Sequence, residues 1–436
     1  MMKNLMTRPV AGLHGSLTVP GDKSLSHRSL MLGAISTGVT TISNFLPAAD
    51  CLSTLTALQA MGTQITRQAN TVQVVGRGLH GLTAPSQPLQ LGNAGTATRL
   101  LAGLLAGQPF DTTLIGDDSL SQRPMARVQQ PLQQMGADIR LTDGHLPMYI
   151  HGRQLHRTTT QMTVASAQVK SALILAALQA DAPSTIIEKL PTRDHTERLL
   201  NAFGASVVTA ADQRTITVQP QPQLQGQAVT VPGDMSSAAF FLTAASIVPG
   251  SKVTLKRVGL NPTRTGLLTV LQRMGGHVTI EPLANPGEPL GNITVSAAKL
   301  HPVRLTAADI PAVIDELPLV ALLAATADGI STISGAGELR VKETDRIATI
   351  CTELRKLGIA IEEQPDGFVI DGRSPWQVQT TQLASHGDHR IGMMVAIAAL
   401  RLETPLQLSD AAAINISYPT FFDDLAKLIP TTEVLA

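Results

Sequence analysis

The chain has 436 residues, 43% hydrophobic and 15% charged, which is length enough for two to four packed domains and composition that argues against disorder. Its 33 Lys+Arg cancel its 33 Asp+Glu, which excludes a general electrostatic pull on nucleic acid or an anionic membrane, and 3% aromatics leave little on which bases could stack. Cys51 and Cys351 cannot build a disulfide framework or a four-sulfur zinc site, and no apolar run reaches the roughly 18 residues that span a bilayer, so a soluble, cytoplasmic, unprocessed protein is expected.

One theme recurs along the chain. LMLGAI from Leu30 reads as an apolar helix, an amphipathic helix follows and is closed by Gly62 after ALQAM, and 64–75 then alternates with strand period. The theme returns as RLLAGLLAG from Arg99 with Gly136 after LQQM, and as SALILAALQA from Ser171 with Gly204 after LLNAF. AAFFLTAASI from Ala238 is followed by LQRM, Gly275 and an alternating 277–280, and LPLVALLAATA from Leu317 by LRKL and Gly358. A sixth copy, IGMMVAIAAL from Ile391, ends at FFDDLAKLIP without the glycine, as a terminal repeat can. Glycine stops a helix because the left-handed conformation costs it nothing.

The five glycines lie 68 to 83 residues apart, so each unit supplies one inner helix, one outer helix and several strands. A helix without a polar face has to be buried, and one unit cannot cover it alone. VPGD occurs at 19–22 and again at 231–234, close to three units later. Two lobes of three repeats are expected: 19–231, and 232–436 completed by 1–18, with the Pro- and Gln-rich 219–227 marking a crossing between them.

Polar residues gather where the inner helices begin: GDKSLSHR (21–28), GNAGTATR (92–99), SAQVK (166–170), GDMSS (233–237) and HGDHR (386–390). Helix N-termini carry about half a positive charge and unpaired N–H groups, so the segments read either as caps or, taken with their Lys and Arg, as one anion site fed by several helices. GRGLHG (76–81) matches a dinucleotide fingerprint, but Pro85 and Pro88 stand where its helix would run. GDKS lacks the upstream glycine of a phosphate loop. His386, Asp388 and His389 are either metal ligands or capping and packing residues. Asp315 and Glu316 precede the apolar helix from Leu317. Lys342, Glu343 and Arg346 have a helical spacing that also fits an ordinary solvated ion pair.

GDKSLSHR, GNAGTATR, SLSQRPM, SAQVKSALILA, TRDHTE, IDELP, ELRVKETDR and DHRIGM, in this order from about Gly12 to the C-terminus, resemble the 5-enolpyruvylshikimate-3-phosphate synthase family. The resemblance implies an α/β fold with two lobes, each an inside-out α/β barrel of three βαβαββ-type repeats with buried helices and outer sheets, and an active site in the cleft between them. It implies transfer of the enolpyruvyl group of phosphoenolpyruvate to the 5-hydroxyl of shikimate 3-phosphate through a tetrahedral ketal, with no metal or organic cofactor, in a monomer. By the same resemblance Lys23, Ser24, Arg28, Ser166, Ala167, Gln168, Arg193, Asp315 and Lys342 bind shikimate 3-phosphate, and Asn93, Gly95, Arg123, Gln168, Glu343, Arg346 and Arg390 surround phosphoenolpyruvate, which Lys23 also touches. Asp315 is expected to take the hydroxyl proton, with Glu343 and Lys23 as candidates for the exchanges at the methylene and the departing phosphate.

Two anionic substrates explain why a neutral protein would need a local concentration of cations, and arginine suits carboxylate and phosphate through paired planar bonds. Ile416, Ser417, Tyr418 and Pro419 stand where many members have a basic residue before a (Thr/Ser)-Phe-Pro triplet, so that lysine role is absent. Gly95 keeps the small residue of inhibitor-sensitive members, and glyphosate is expected to enter. The related UDP-N-acetylglucosamine enolpyruvyl transferases have a loop cysteine where Asp118 stands, which does not decide because aspartate replaces it in some members; their shorter Lys-Asn signature in place of GDKSLSHR does, and favours shikimate 3-phosphate as acceptor. A non-catalytic repeat scaffold would account for six units but not for Lys23, Arg123, Asp315, Glu343 and Arg390 together.

Overall fold

All five glycines expected to stop amphipathic helices do so. Gly62, Gly136, Gly204, Gly275 and Gly358 have φ between 79° and 99°, open to glycine without strain. They follow the helices Ala49–Ala60, Ala126–Gln133, His195–Ala202, Gly266–Arg273 and Arg346–Lys356, and the sixth outer helix is Phe421–Lys427. The inner helices are Lys23–Ile35, Gly95–Ala106, Ala167–Ala177, Met235–Ile247, Leu317–Ala324 and His389–Ala399. Every residue of the last three is buried, because a helix that is apolar all round has no face to give to water. Contact between inner helices reaches the backbone: a Cβ on Gly103 would lie 2.0 Å from the carbonyl oxygen of Ala172, a space that only glycine leaves open.

The computed structural model describes residues 2–8, 11–285 and 288–430 of the chain. Residues 1, 9–10, 286–287 and 431–436 of the expected second lobe lie outside the described residues. Among the described residues the strands form six small sheets, five of four strands and one of three. In the second repeat Leu89–Gln90 runs parallel to Asp111–Ile115, the buried helix Gly95–Ala106 makes the crossover that parallel neighbours require, and the hairpin Asp138–Thr142/His145–His151 completes the sheet. The other four-stranded sheets repeat this order, one parallel pairing and then two antiparallel ones. In the sixth repeat Gln382–Ala384 pairs parallel with Gln407–Ser409, and Lys3–Asn4 lies antiparallel on the latter in place of a hairpin.

Two compact units result, Gly21–Val231 and Met1–Pro20 with Pro232–Ala436. Each has its own apolar core, built from the inner helices and the inward sides of its sheets. In the first, Ala228–Thr230 supplies the leading parallel strand beside Val39–Ser43; in the second, His14–Leu17 does the same for Lys252–Gly259. The Gln-rich stretch 219–227 is not the crossing. Its backbone donates from Gln221 to Leu178 and from Gln225 to Phe203, inside one unit, and the chain changes unit only after Val231. The residues after Gly76 form no helix before the strand Leu89–Gln90, which removes the dinucleotide fingerprint. Among the described residues no helix is long and apolar enough to cross a membrane.

Burial has an electrostatic consequence in the first inner helix. His27 is wholly buried with Nδ1 2.7 Å from the Thr54 hydroxyl. Burial, opposed by Asp50 and assisted by Lys23 and Arg28, pushes its pKa from 6.5 down to about 3. Below pH 6.5 the unfolded chain therefore binds a proton that the folded one refuses. This contribution is complete above the unfolded pKa and is lost as pH falls, by about 1.4 kcal/mol per pH unit between the two pKa values. His27→Gln is expected to flatten that part of the acid dependence in urea titrations of the Gly21–Val231 unit. An unchanged slope between about pH 6.5 and 5 would assign the acid sensitivity to other groups.

Candidate functional site

In the unit Gly21–Val231 the polar starts of three inner helices carry most of the expected residues. Asp22 caps Lys23–Ile35 by accepting from the Leu25 N–H at 2.8 Å, and Lys23 Nζ lies 3.1 Å from Asp50 Oδ2, at the start of the next outer helix. Arg28 is buried and held on three sides: Nε donates to Thr196 Oγ1 (2.7 Å), Nη1 to the Ser24 carbonyl (3.0 Å) and Nη2 to Ser171 Oγ (2.9 Å). Ser166 caps Ala167–Ala177. Arg193, half-buried, lies just before the helix His195–Ala202.

That stretch is pinned from beneath by Lys170. Its Nζ lies 3.0 Å from Glu188 and 2.8 Å from Glu197 and donates to the Thr192 carbonyl at 3.3 Å, while the Thr192 hydroxyl donates to Glu188. Burial pushes the Glu188 pKa up despite Lys170, as expected for two carboxylates sharing one buried ammonium.

The Gly95–Ala106 helix start gathers a tighter group. Arg123 Nη2 donates to Asn93 Oδ1, and Asn93 Nδ2 donates to both oxygens of Asp117 (3.2 and 3.0 Å). Arg99 Nη1 donates to Gln168 Oε1 (2.7 Å), whose Nε2 donates to Thr96 Oγ1 (2.9 Å). A Cβ on Gly95 would stand 2.9 Å from Arg99 Nη1 and 3.0 Å from Arg123 Nη1, so the glycine is what lets both guanidinium groups close over the helix start.

The other unit holds a cluster of alternating charge. The Asp315 carboxylate, on the turn before Leu317–Ala324, lies 3.5 Å from Arg346 Nη1, 3.8 Å from Lys342 Nζ, 3.8 Å from Arg390 Nη2 and 3.9 Å from Arg264 Nη1. Arg390 Nη1 also donates to the Asp315 carbonyl (3.0 Å) and lies 3.5 Å from Glu316. Arg346 is 1% exposed and sits between Glu343 (2.6 Å) and Asp388 (2.6 Å). Burial opposes its charge, yet Asp388 and Glu343 push its pKa up; Arg346 in turn holds the Asp388 carboxyl below the usual range in spite of burial.

The ion pair expected at Lys342, Glu343 and Arg346 is therefore not a solvated one on a helix. Lys342 is extended, the helix begins at Arg346, and the arginine is buried. Two of the three residues of the possible metal set have other partners. Asp388 caps His389–Ala399 and takes Arg346, and His386 Nε2 is 2.7 Å from Glu353.

The structure thus brings Asp315, Lys342, Glu343, Arg346 and Arg390 together in one unit, and Asn93, Gly95, Arg123 and Gln168 together in the other. It adds residues to which the sequence assigned no substrate or catalytic role: Asp50, Arg99, Asp117 and Arg264, with Glu316, noted in the sequence only as preceding an apolar helix, as the neighbour of Arg264 through Ser236. Asp50, Asp117 and Arg264 lie outside the helix-start motifs, so spacing offered no signal for them.

Comparison with known proteins gives the family. The family model described as EPSP synthase (3-phosphoshikimate 1-carboxyvinyltransferase) matches residues 7–425. A 3-phosphoshikimate 1-carboxyvinyltransferase of Lactiplantibacillus plantarum is 71% identical over 98% of this chain and 99% of its own. The solved EPSP synthase of Acinetobacter baumannii superimposes with a TM-score of 0.85 at 40% identity, covering 98% of each chain. The enolpyruvyl transferase NikO of Streptomyces tendae, 18% identical, shares the fold with a TM-score of 0.77 over 98% of this chain and 97% of that one. Matched by the family model over nearly its whole length and 71% identical to a curated member, the chain belongs to the EPSP synthase family.

Proposed function

We propose that each unit is an inside-out α/β barrel of three repeats, that both clusters serve the same reaction, and that the protein acts as a cytoplasmic monomer. The reaction is the one family membership assigns: transfer of the enolpyruvyl group of phosphoenolpyruvate to shikimate 3-phosphate, with release of phosphate, in the shikimate pathway. The observation that carries the assignment of roles is the Asp315 carboxylate among four cations, beside a carboxylate, Glu343, on the same Arg346. One cluster member can accept a proton while its neighbours neutralise the substrates' charge.

Asp315 takes the proton from the 5-hydroxyl as its oxygen attacks C2 of phosphoenolpyruvate, and a proton is added to the methylene carbon. The resulting ketal carries a methyl group, the carboxylate and the phosphate. Loss of phosphate with one methyl proton then gives the enol ether, so the proton added in the first step is balanced by one removed in the second. Glu343 and Lys23 serve these exchanges. Arg123, Arg346 and Arg390 hold phosphoenolpyruvate, with Asn93, Gly95 and Gln168 beside it. Lys23, Ser24, Arg28, Ser166, Ala167, Gln168, Arg193, Asp315 and Lys342 hold shikimate 3-phosphate. Exclusion of water by closure of the site protects the enol and the ketal from hydrolysis. Gly95, against Arg99 and Arg123, keeps the small residue of inhibitor-sensitive members, which supports entry of glyphosate beside it.

Phosphate release is expected with phosphoenolpyruvate and shikimate 3-phosphate and not with UDP-N-acetylglucosamine; the opposite acceptor preference would refute the assignment. Asp315→Ala is expected to lower kcat about 10²- to 10⁴-fold, the usual contribution of a general base, while both substrates still bind. A turnover equal to the parent's would remove Asp315 from the chemistry. Arg123→Ala is expected to raise the KM for phosphoenolpyruvate about 10- to 100-fold through loss of charge-assisted bonds, and to leave the acceptor's KM nearly unchanged. A rise confined to the acceptor would place Arg123 on the wrong substrate.

A further inference from the structure

The turn after the strand Lys252–Gly259 reads Asn261, Pro262, Thr263, Arg264, and it is built to deliver one side chain. Asn261 Oδ1 accepts from the Thr263 N–H (3.0 Å) and hydroxyl (2.8 Å), its carbonyl accepts from the Arg264 N–H (2.8 Å), and its Nδ2 donates to Glu288 (3.0 Å). The Arg264 side chain is only 5% exposed, and a guanidinium at that depth needs acids. It has them. Nη2 donates to Asp234 Oδ1 (3.0 Å) and Ser236 Oγ (2.8 Å), and Nη1 stands 3.9 Å from Asp315 Oδ2. Asp234 caps the wholly buried helix Met235–Ile247, and Ser236 donates onward to Glu316, so Arg264 ties a rigid helix start to the turn that carries Asp315.

The two oxygens of Asp315 face different cations. Oδ1 is nearest Arg346 and Lys342; Oδ2 is nearest Arg390 and Arg264. In the function proposed above, Lys342, Arg346 and Arg390 also bind the anionic substrates, and each bond to phosphate or carboxylate competes with their hold on Asp315. Arg264 is the member of the four with no substrate assigned to it, and Asp234 and Ser236 anchor it from behind. We propose that Arg264 is a positioning residue for the transfer, keeping the Asp315 carboxylate in place while the other three cations engage the substrates. The inference rests on Asp315 being the group that takes the hydroxyl proton.

A double-mutant cycle in the full-length enzyme tests it, with kcat, both KM values and the melting temperature measured for Arg264→Gln, Arg264→Lys, Asp315→Asn and the Gln/Asn double variant. Arg264→Gln is expected to lower kcat about 10- to 100-fold, the scale of a misplaced reacting group, with both KM values within about threefold of the parent's. Arg264→Lys recovers part of kcat, because the charge remains. In the Asp315→Asn background Arg264→Gln adds no further loss, since its effect runs through Asp315. An additive loss, a kcat for Arg264→Gln within about twofold of the parent's, or a change confined to KM overturns the proposal. If Arg264→Gln fails to fold, Arg264→Lys carries the same comparison: a fall in kcat that is absent in the Asp315→Asn background supports the role, and its absence in the parent overturns it. A parental kcat in Asp315→Asn strikes the base assignment itself, whatever the Arg264 variants do.

Discussion

An apolar helix with no polar face must be covered along its whole length, and everything else in this chain follows from having six of them. A single repeat of about 70 residues cannot wrap its own inner helix, so the repeats pack together and share a core. Contact as close as Gly103 on the Ala172 carbonyl shows how little space is left between inner helices once they are packed. Only the helix starts stay polar. Burial of the bodies therefore concentrates the chemistry at one end of each helix, where N–H groups and Lys or Arg side chains favour anions.

Local charge, not net charge, is what a neutral chain can offer two anionic metabolites. The cluster around Asp315 interleaves carboxylates with Arg264, Lys342, Arg346 and Arg390, so cations are held close together without an unpaired buried charge. Arg346 is the clearest case: two acids flank it and hold it charged where burial alone would oppose the charge. In the other unit neutral groups serve the same end. Asn93 and Gln168 orient Arg123 and Arg99, and Asp117 orients Asn93 in turn.

Two kinds of buried charge coexist, with different purposes. Lys170 between Glu188 and Glu197 holds the Thr192 backbone and with it the approach to Arg193, so its work is structural. Lys23, paired with Asp50 and a fifth exposed, keeps access to solvent and so to a ligand. The aromatic group of Phe240, Phe241, Tyr418 and Phe421 fills the space between an inner helix and the last outer one. Tyr418 gives its hydroxyl to Asp424.

The sequence by itself determined the repeats, the inner and outer helices, the glycine stops and the polar helix starts, because each is a local signal: periodicity, a left-handed residue, a cap. The motifs in their order also determined the family. Tertiary structure alone decided how the sheets are completed, with 228–230 leading the first sheet and 3–4 replacing the last hairpin, since strand pairing joins residues far apart in the chain. It alone turned Lys342, Glu343 and Arg346 from a helical ion pair into part of a buried cluster, because the chain is extended at Lys342 and Asp388 arrives from another helix. Arg264 and Asp50 carry no spacing that marks them; only packing puts them beside Asp315 and Lys23, and a contact between distant segments leaves no trace in local pattern.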